Sequence, residues 1–251
     1  MRGRLIDYLD AVTKAQTAED LWALHVDKMA EYGFDRLIYG FTRYRTSSSL
    51  GDPQDWVLLT NQSADYMKVF VEDGYYFHAP MLRWALENDG SCSWRWIAEQ
   101  GADGFTPSER KVVEFNRKMG VTAGYTISFR SISQRSKAAI ALTAAMGTRQ
   151  SEVDAMWAER GEEIALMNNV AHLKVLTLPY KGTRTLTKRQ REVLECVGDG
   201  KTTQDTAFLL GLTAATVEKH LRLAREALDV DTTAQAVLKA SFQNQMFVLE
   251  T

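Results

Sequence analysis

The sequence predicts an α+β domain, with helices on the faces of a mainly antiparallel sheet, followed by an all-α domain of four helices. Three observations predict this arrangement. Helical patterns and short β-rich segments alternate over the first 150 residues, a long amphipathic pattern covers residues 151–175, and only helical patterns follow residue 186. We therefore place the domains at residues 1–176 and 186–251, with residues 177–185 as the linker.

Composition limits the class of protein. A chain of 251 residues with 45% hydrophobic content can bury two cores, and no apolar run approaches the ~18 residues of a membrane span. The N-terminus lacks the charged-then-apolar pattern of a signal peptide. Cys92 and Cys196 are the only cysteines and have no metal-ligand spacing, so we expect a reducing, cytoplasmic location.

The first domain begins with two predicted helices, the second opened by Thr17 and ended by Gly33. Four β-rich segments are predicted to form strands, at residues 37–42, 56–60, 123–129 and 138–145. A helix is predicted over residues 65–76, and Thr106 opens another through a capping box with Glu109.

The helix predicted over residues 151–175 carries a wide apolar stripe that includes Val153, Ile164 and Met167. The stripe has two compatible explanations: it packs on the sheet of its own chain, or it pairs with the same helix of a second copy. Residues 178–185 contain a proline and a glycine, which is typical of an interdomain linker.

A cation-bearing amphipathic helix is the main feature of the second domain. Val217, Leu221, Ala224 and Leu228 recur at i, i+4, i+7 and i+11, so they share one side of a helix and charged residues cover the other. Thr213 caps its start. A short apolar helix over residues 203–210 ends immediately before it, which gives a helix-turn-helix in outline. A helical bundle with a merely solvated charged face would show the same spacing.

Four sequence segments favour the helix-turn-helix over a helical bundle with a solvated face. LTKRQREVL (186–194), GKT (200–202), TVEKH (216–220) and AQAV (234–237) occur in the order found in LuxR-type transcription regulators, and the C-terminal quarter resembles their DNA-binding domain. The resemblance implies a four-helix domain whose third helix enters the major groove. Asp205 and Thr206 depart from the family's glutamate and isoleucine in the second helix, and Glu218 replaces a residue that is often basic.

Side-chain chemistry assigns the expected DNA contacts. Arg222 is expected to contact guanine, and Glu218 either accepts from a cytosine amine or is a solvated acid. Phosphate contacts are expected from Lys201, Thr202, Thr203, Thr216, Lys219 and Arg225. Nine basic and nine acidic side chains follow residue 183, so net charge does not favour DNA. We therefore expect a homodimer on an inverted-repeat operator of double-stranded DNA.

A second resemblance covers the first domain. Thr60-Asn61, Tyr66, Phe70, Pro80, Trp94, Gly120 and Gly124 match the spacing of the autoinducer-binding domain of LuxR-type receptors, although the aromatic residues by themselves are also typical of a core. The resemblance implies a cavity for an N-acyl homoserine lactone. Position by position, it assigns nine residues to ligand binding: Tyr39, Gln62, Tyr66, Phe70, Ala79, Leu82, Trp94, Gly124 and Thr143.

Four of these positions depart from the family. Tyr66 replaces the tryptophan that bonds the lactone carbonyl, and Gln62 and Phe70 replace tyrosines. Ala79 replaces the aspartate that accepts the ligand's amide proton, a bond worth roughly 1.5–3 kcal/mol, so its loss costs on the order of 10–100-fold in affinity. His78 is adjacent, but neighbours on an extended segment point in opposite directions.

Three hypotheses follow from these departures. In the first, the protein binds a different, less polar or aryl signal through Tyr66, Gln62 and Thr143. In the second, aromatic side chains fill the cavity and no ligand is needed. In the third, an acyl homoserine lactone binds in an altered pose.

An enzyme is not expected. None of the four histidines pairs with a cysteine or carboxylate at catalytic or metal-ligand spacing, and no phosphate-binding loop is present. We expect no catalytic residue, no metal and no cofactor other than a small-molecule signal. A phosphorylation-controlled response regulator would begin with alternating strands and helices, whereas Asp7 and Asp10 lie in a helical pattern.

Overall fold

The computed structural model describes residues 2–101, 104–131, 133–179, 182 and 184–247. The chain forms two compact units, residues 1–176 and 177–251, each with its own core. Three residues of the predicted linker, Tyr180, Lys181 and Thr183, lie outside the described residues. None of the described helices has the length and apolarity needed to cross a membrane.

A five-stranded antiparallel sheet forms the centre of the first unit and confirms the predicted α+β class. Its strands are β1 (Phe34–Thr42), β2 (Val57–Thr60), β3 (Gly90–Ser93), β4 (Gly124–Phe129) and β5 (Lys137–Ala144), in the order β2-β1-β5-β4-β3. β5 lies in the middle and is largely buried along its length. The sequence analysis missed β3, because Gly90 to Ser93 contain neither β-branched nor aromatic residues.

Three helices cover one face of this sheet. They are α1 (Arg2–Lys14), α2 (Ala18–Ala30) and the long helix that we call α7 (Gln150–Val175). Thr17 caps α2 by accepting from the Asp20 amide, as its position predicts. Tyr125 of β4 stacks on Trp157 of α7, with ring centroids 3.8 Å apart. The apolar stripe of α7 therefore packs on its own sheet, which was the first of its two explanations.

Four shorter helices lie over the opposite face. They are α3 (Ala64–Met67), α4 (Pro80–Glu87), α5 (Arg95–Glu99) and α6 (Pro107–Lys118). Thr106 and Glu109 close the predicted capping box of α6. The prediction of a single helix over residues 65–76 was wrong. α3 continues as a π-helical turn at Lys68–Glu72, and the helical run ends before Gly74, which is in a left-handed conformation. Only glycine adopts this conformation without strain. A short 3-10 turn follows.

The second unit contains the four expected helices: α8 (Lys188–Gly198), α9 (Thr203–Leu210), α10 (Ala214–Leu228) and α11 (Thr233–Phe242). Val217, Leu221, Ala224 and Leu228 are buried in one core, so the spacing predicted their common face correctly. Gly211 adopts a left-handed conformation with φ of 65° and turns the chain between α9 and α10.

Candidate functional site: a ligand cavity and a DNA-contacting helix

A cavity of about 770 Å³ lies between the sheet and helices α3 to α6. This volume is within the range of small-molecule sites. On the sheet, alternate residues line the cavity, Ile38, Gly40 and Thr42 on β1 and Ala139, Ala141 and Thr143 on β5. Because this space is open, the hypothesis of a cavity filled by aromatic side chains has no support in the structure.

The structure brings seven of the nine expected residues into the cavity lining. These are Gln62, Tyr66, Phe70, Ala79, Leu82, Trp94 and Thr143. They come from α3, the π-helical turn, α4, β5 and the connections between elements, so only the folded chain assembles them. Tyr39 and Gly124 do not line the cavity, and both assignments are corrected.

Tyr39 lies on the opposite face of the sheet. Side chains alternate along β1, so Ile38 and Gly40 face the cavity while Tyr39 points toward α7. There its hydroxyl lies 2.8 Å from Nδ1 of His172. Tyr39 is therefore a core residue.

Gly124 lies beneath Trp94 and is covered by it. A Cβ atom at Gly124 would lie 3.0 Å from the Trp94 ring and would collide with the carbonyl oxygen of Leu142. Its role is therefore to let the indole ring lie close to the sheet, and Trp94 supplies the surface that faces the cavity.

The two expected aromatic donors are already bonded within the protein. The Tyr66 hydroxyl donates to Oδ1 of Asn116 at 2.9 Å, and Nε1 of Trp94 donates to Oγ1 of Thr126 at 2.9 Å. Burial raises the pKa of Tyr66, so its proton stays in place. Nε2 of Gln62, in contrast, is buried and has no hydrogen-bond partner.

No aspartate or glutamate is found among the described residues of the cavity lining. Ala79 lies in the lining at the start of α4, directly before Pro80. His78 is exposed and is absent from that lining, so it does not replace the missing carboxylate. The polar groups of the cavity are therefore mostly neutral amides and hydroxyls.

Sequence reasoning missed Asn116 and Thr126, which bond the cavity's aromatic residues. Asn116 lines the cavity from α6, and a polar residue beside an apolar stripe was the available signal. Thr126 lies two residues from Gly124 and therefore on the same face of β4.

A partly buried polar network fixes the cavity wall to α7. Oδ1 of Asp154 accepts from Ser93 at 2.7 Å, Gln150 at 2.9 Å and Tyr125 at 3.0 Å, and Oδ2 pairs with Arg95 at 2.6 Å. Burial alone would raise the pKa of Asp154, but these hydrogen bonds lower it below its usual value. The carboxylate therefore stays charged and holds α5, β3 and β4 against α7.

The cationic face of α10 is partly neutralised by the protein itself. Arg222 is exposed and pairs with Glu226 one turn further along α10. Arg225 is half-buried and donates to Oγ1 of Thr233 at 2.9 Å, which ties α10 to α11. Lys219 and Lys201 are exposed. Arg222 and Lys219 thus remain accessible to DNA, while Arg225 has a structural bond.

Most of the threonines and the acid that were expected to contact DNA form hydrogen bonds within the protein at helix ends. Thr202 caps α9, where Asp205 completes the capping box. Thr216 bonds Thr213 at 2.8 Å. Oε1 of Glu218 accepts from Oγ1 of Thr203 at 2.9 Å, so Glu218 links α10 to the start of α9. Local sequence patterns did not predict this link, because the two residues are 15 positions apart.

The first unit has a ligand-sized cavity, and the second has a helix-turn-helix. Together they define a transcription regulator that responds to a small molecule and binds DNA. Comparison with known families gives the same class. The autoinducer binding domain matches residues 17–175, and the DNA-binding domain of bacterial regulatory proteins of the luxR family matches residues 184–240. The chain belongs to the LuxR-type quorum-sensing transcription regulators.

Individual relatives share the architecture over most of their length. The transcriptional activator AnoR of Acinetobacter nosocomialis is 24% identical over 240 residues, which cover 93% of this chain and 95% of AnoR. Escherichia coli SdiA in complex with octanoyl-rac-glycerol has a TM-score of 0.52 at 15% identity, covering 96% of this chain and 93% of that one. The N-acylhomoserine lactone-dependent factor CepR2 of Burkholderia cenocepacia has a TM-score of 0.53 at 18% identity, covering 68% and 92%.

Proposed function

We propose that this regulator responds to a signal that is held without a carboxylate anchor, and that signal binding controls a homodimer on an inverted-repeat operator. The observation that carries the proposal is the cavity of about 770 Å³ whose described lining contains no aspartate or glutamate. A ligand amide therefore has no buried anion to accept its proton, and a standard acyl homoserine lactone loses on the order of 10–100-fold in affinity.

The fold accommodates signals of other chemistry. SdiA is described in complex with octanoyl-rac-glycerol, an uncharged ester without an amide proton. This supports the first hypothesis, a different signal, over the third, a lactone in an altered pose.

Dimerisation follows from the electrostatics of the second unit. Arg222 is partly neutralised by Glu226, and acidic and basic side chains balance after residue 183. One α10 helix alone thus has little excess positive charge with which to hold the phosphate backbone. Two copies held about one turn of DNA apart bind much more tightly, since the second contact is intramolecular.

A dimer also needs a protein interface, for which α7 is our candidate. Leu166 and Leu173 are spaced by seven residues on α7 and are 47% and 61% exposed. Residues at this spacing share one side of a helix, as helix pairing requires.

The experiment introduces the missing acid. We expect Ala79→Asp to raise the affinity for N-octanoyl homoserine lactone 10–100-fold and to leave the affinity for octanoylglycerol unchanged. Ligand-induced shifts in Tm measure this, because a ligand that binds only the folded state stabilises it. The shift is compared rather than Tm itself, since an aspartate at this position also caps α4. Tight lactone binding by the wild-type protein, unchanged in the variant, would contradict the proposal.

A further inference from the structure

We propose that Gln150 is a positioning residue that couples the cavity to helix α7. Its side chain joins the first turn of α7 to the strand segments that carry Trp94, so a movement of Trp94 in the cavity is passed to α7. This inference rests on the proposed function and names the residue through which the signal controls the dimer.

The first turn of α7 reaches the cavity, although the helix packs on the opposite face of the sheet. Gln150 and Ser151 lie in the cavity lining, while Trp157, two turns further on, stacks on Tyr125. The candidate dimer residue Leu166 lies 16 residues beyond Gln150, or about 24 Å along the same helix. One helix therefore extends from the cavity to the proposed interface.

The Gln150 side chain holds the main chain of Gly124. Its Oε1 accepts from the Gly124 amide at 2.9 Å, and its Nε2 donates to the Gly124 carbonyl at 3.1 Å. The same Nε2 lies 3.1 Å from Oγ of Ser93 and 2.9 Å from Oδ1 of Asp154. Three acceptors thus compete for two amide protons. When Gly124 or Ser93 moves, the amide exchanges one acceptor for another without leaving its donor unpaired.

Trp94 is tied to the same strand segments from the cavity side. Its amide donates to the Gly124 carbonyl at 3.1 Å, so this carbonyl accepts from both Trp94 and Gln150. Its ring lies over Gly124, where an added Cβ atom would be 3.0 Å from the indole carbons. Ser93, the preceding residue, donates to Asp154 of α7 at 2.7 Å. A ligand that displaces the Trp94 ring therefore shifts the atoms that Gln150 holds.

A second link between the lining and α7 is weaker. Arg95 lines the cavity and pairs with Asp154 at 2.6 Å, but its side chain is 55% exposed. Exposed ion pairs contribute little and are screened by salt. Gln150 is half-buried and neutral, so its hydrogen bonds are not screened in this way. The coupling is therefore assigned to Gln150.

Small movements at the first turn are large enough to affect the proposed interface. Over about 24 Å of helix, a tilt of roughly 5° displaces Leu166 by about 2 Å. Helix shifts of about 1–2 Å at subunit interfaces accompany allosteric transitions. The length of α7 thus converts a small change at Gln150 into a change that the dimer contacts distinguish.

The test compares Gln150→Met with Ser151→Ala in the full chain, with octanoylglycerol and N-octanoyl homoserine lactone as probes. Methionine has a similar length and favours the helix, but it lacks the amide's hydrogen bonds. Ligand-induced Tm shifts measure probe affinity. Sedimentation velocity with and without saturating probe measures the dimer dissociation constant. A residue with a merely structural role changes Tm but leaves the response of the dimer to the probe intact.

In the wild type and in Ser151→Ala, a bound probe is expected to change the dimer dissociation constant about tenfold. In Gln150→Met, the probe is expected to bind within about threefold of its wild-type affinity and to change the dimer dissociation constant by less than about twofold. Gln150→Glu keeps the acceptor for the Gly124 amide and loses both donor protons. The same result is expected for it, and it serves if the methionine variant does not fold.

Three results would overturn the inference. They are a full response of the dimer in the Gln150 variants, an equal loss of that response in Ser151→Ala, and a loss of probe affinity of about tenfold or more in Gln150→Met, which would make Gln150 a ligand contact. The proposed function fails by a different result: a wild-type protein that binds neither probe, or whose dimer does not respond to a bound probe. That result would remove the inference as well.

Discussion

Two buried histidines make the first unit sensitive to mild acid. His25 and His172 lie on the α7 side of the sheet, 2% and 8% exposed. Tyr8 bonds Nδ1 of His25 at 2.6 Å, and Oδ1 of Asn168 lies 3.0 Å from Nε2. Burial lowers the pKa of each histidine from 6.5 to about 4, because the charged form loses its hydration.

The size of the effect follows from linkage. Both pKa values are lower in the folded state than in the unfolded state. The two histidines therefore cost almost no free energy of unfolding above pH 6.5, and the free energy of unfolding falls as the pH drops toward 4. At pH 5 each histidine costs about 2 kcal/mol relative to pH 7.5, and the two together cost about 4 kcal/mol. For a unit of this size we expect Tm to fall by about 10 °C.

Tryptophan fluorescence measures this unit alone, because all six tryptophans precede residue 177. Tm is recorded at pH 7.5 and 5.0 for the wild type and for His172→Gln, which keeps an acceptor for Tyr39 but does not titrate. The variant is expected to lose about half as much stability between the two pH values. A wild-type Tm that is flat over this range, or an equal loss in the variant, would refute the assignment.

Four further variants test other parts of the structure. Gly124→Ala places a methyl group against the Leu142 carbonyl and is expected to lower the Tm of the first unit by several degrees; an unchanged Tm would contradict the close packing described. Arg222→Ala is expected to cost roughly 1–3 kcal/mol in operator binding and to relax preference at one base pair, which an unchanged footprint would disprove. Glu226→Gln releases Arg222 and should strengthen binding to random-sequence duplex at low salt; no change would show that the pair does not restrain Arg222. Gly211→Ala is expected to destabilise the second unit by about 1 kcal/mol, read by urea unfolding of that unit; a loss near zero would rule out the strain at this turn.

Local patterns predicted most elements of the fold. The capping residues Thr17 and Thr106 were identified because a hydroxyl followed by an acid three residues later satisfies free helix amides locally. The buried side of α10 followed from its 3.6-residue period. The π-helical turn at Lys68–Glu72 was not predicted, because no local pattern distinguished it from an α-helix; its residues Phe70 and Val71 line the cavity.

The candidate site was predicted less completely. The positions of Gln62, Tyr66, Ala79 and Trp94 in the lining agree with the resemblance. The assignment of Tyr39 to the cavity was wrong. Adjacent residues on a strand lie on opposite faces of the sheet, and the resemblance did not determine which face of β1 carries Tyr39.

The sequence by itself determined the division into two units, the helix-turn-helix and the absence of an acid before Pro80, because each depends on residues close together in the chain. The tertiary structure decided which polar groups remain free. Tyr66 meets Asn116 and Glu218 meets Thr203 only when distant segments fold together, and each such bond removes a donor or acceptor that the sequence alone would offer to a ligand or to DNA.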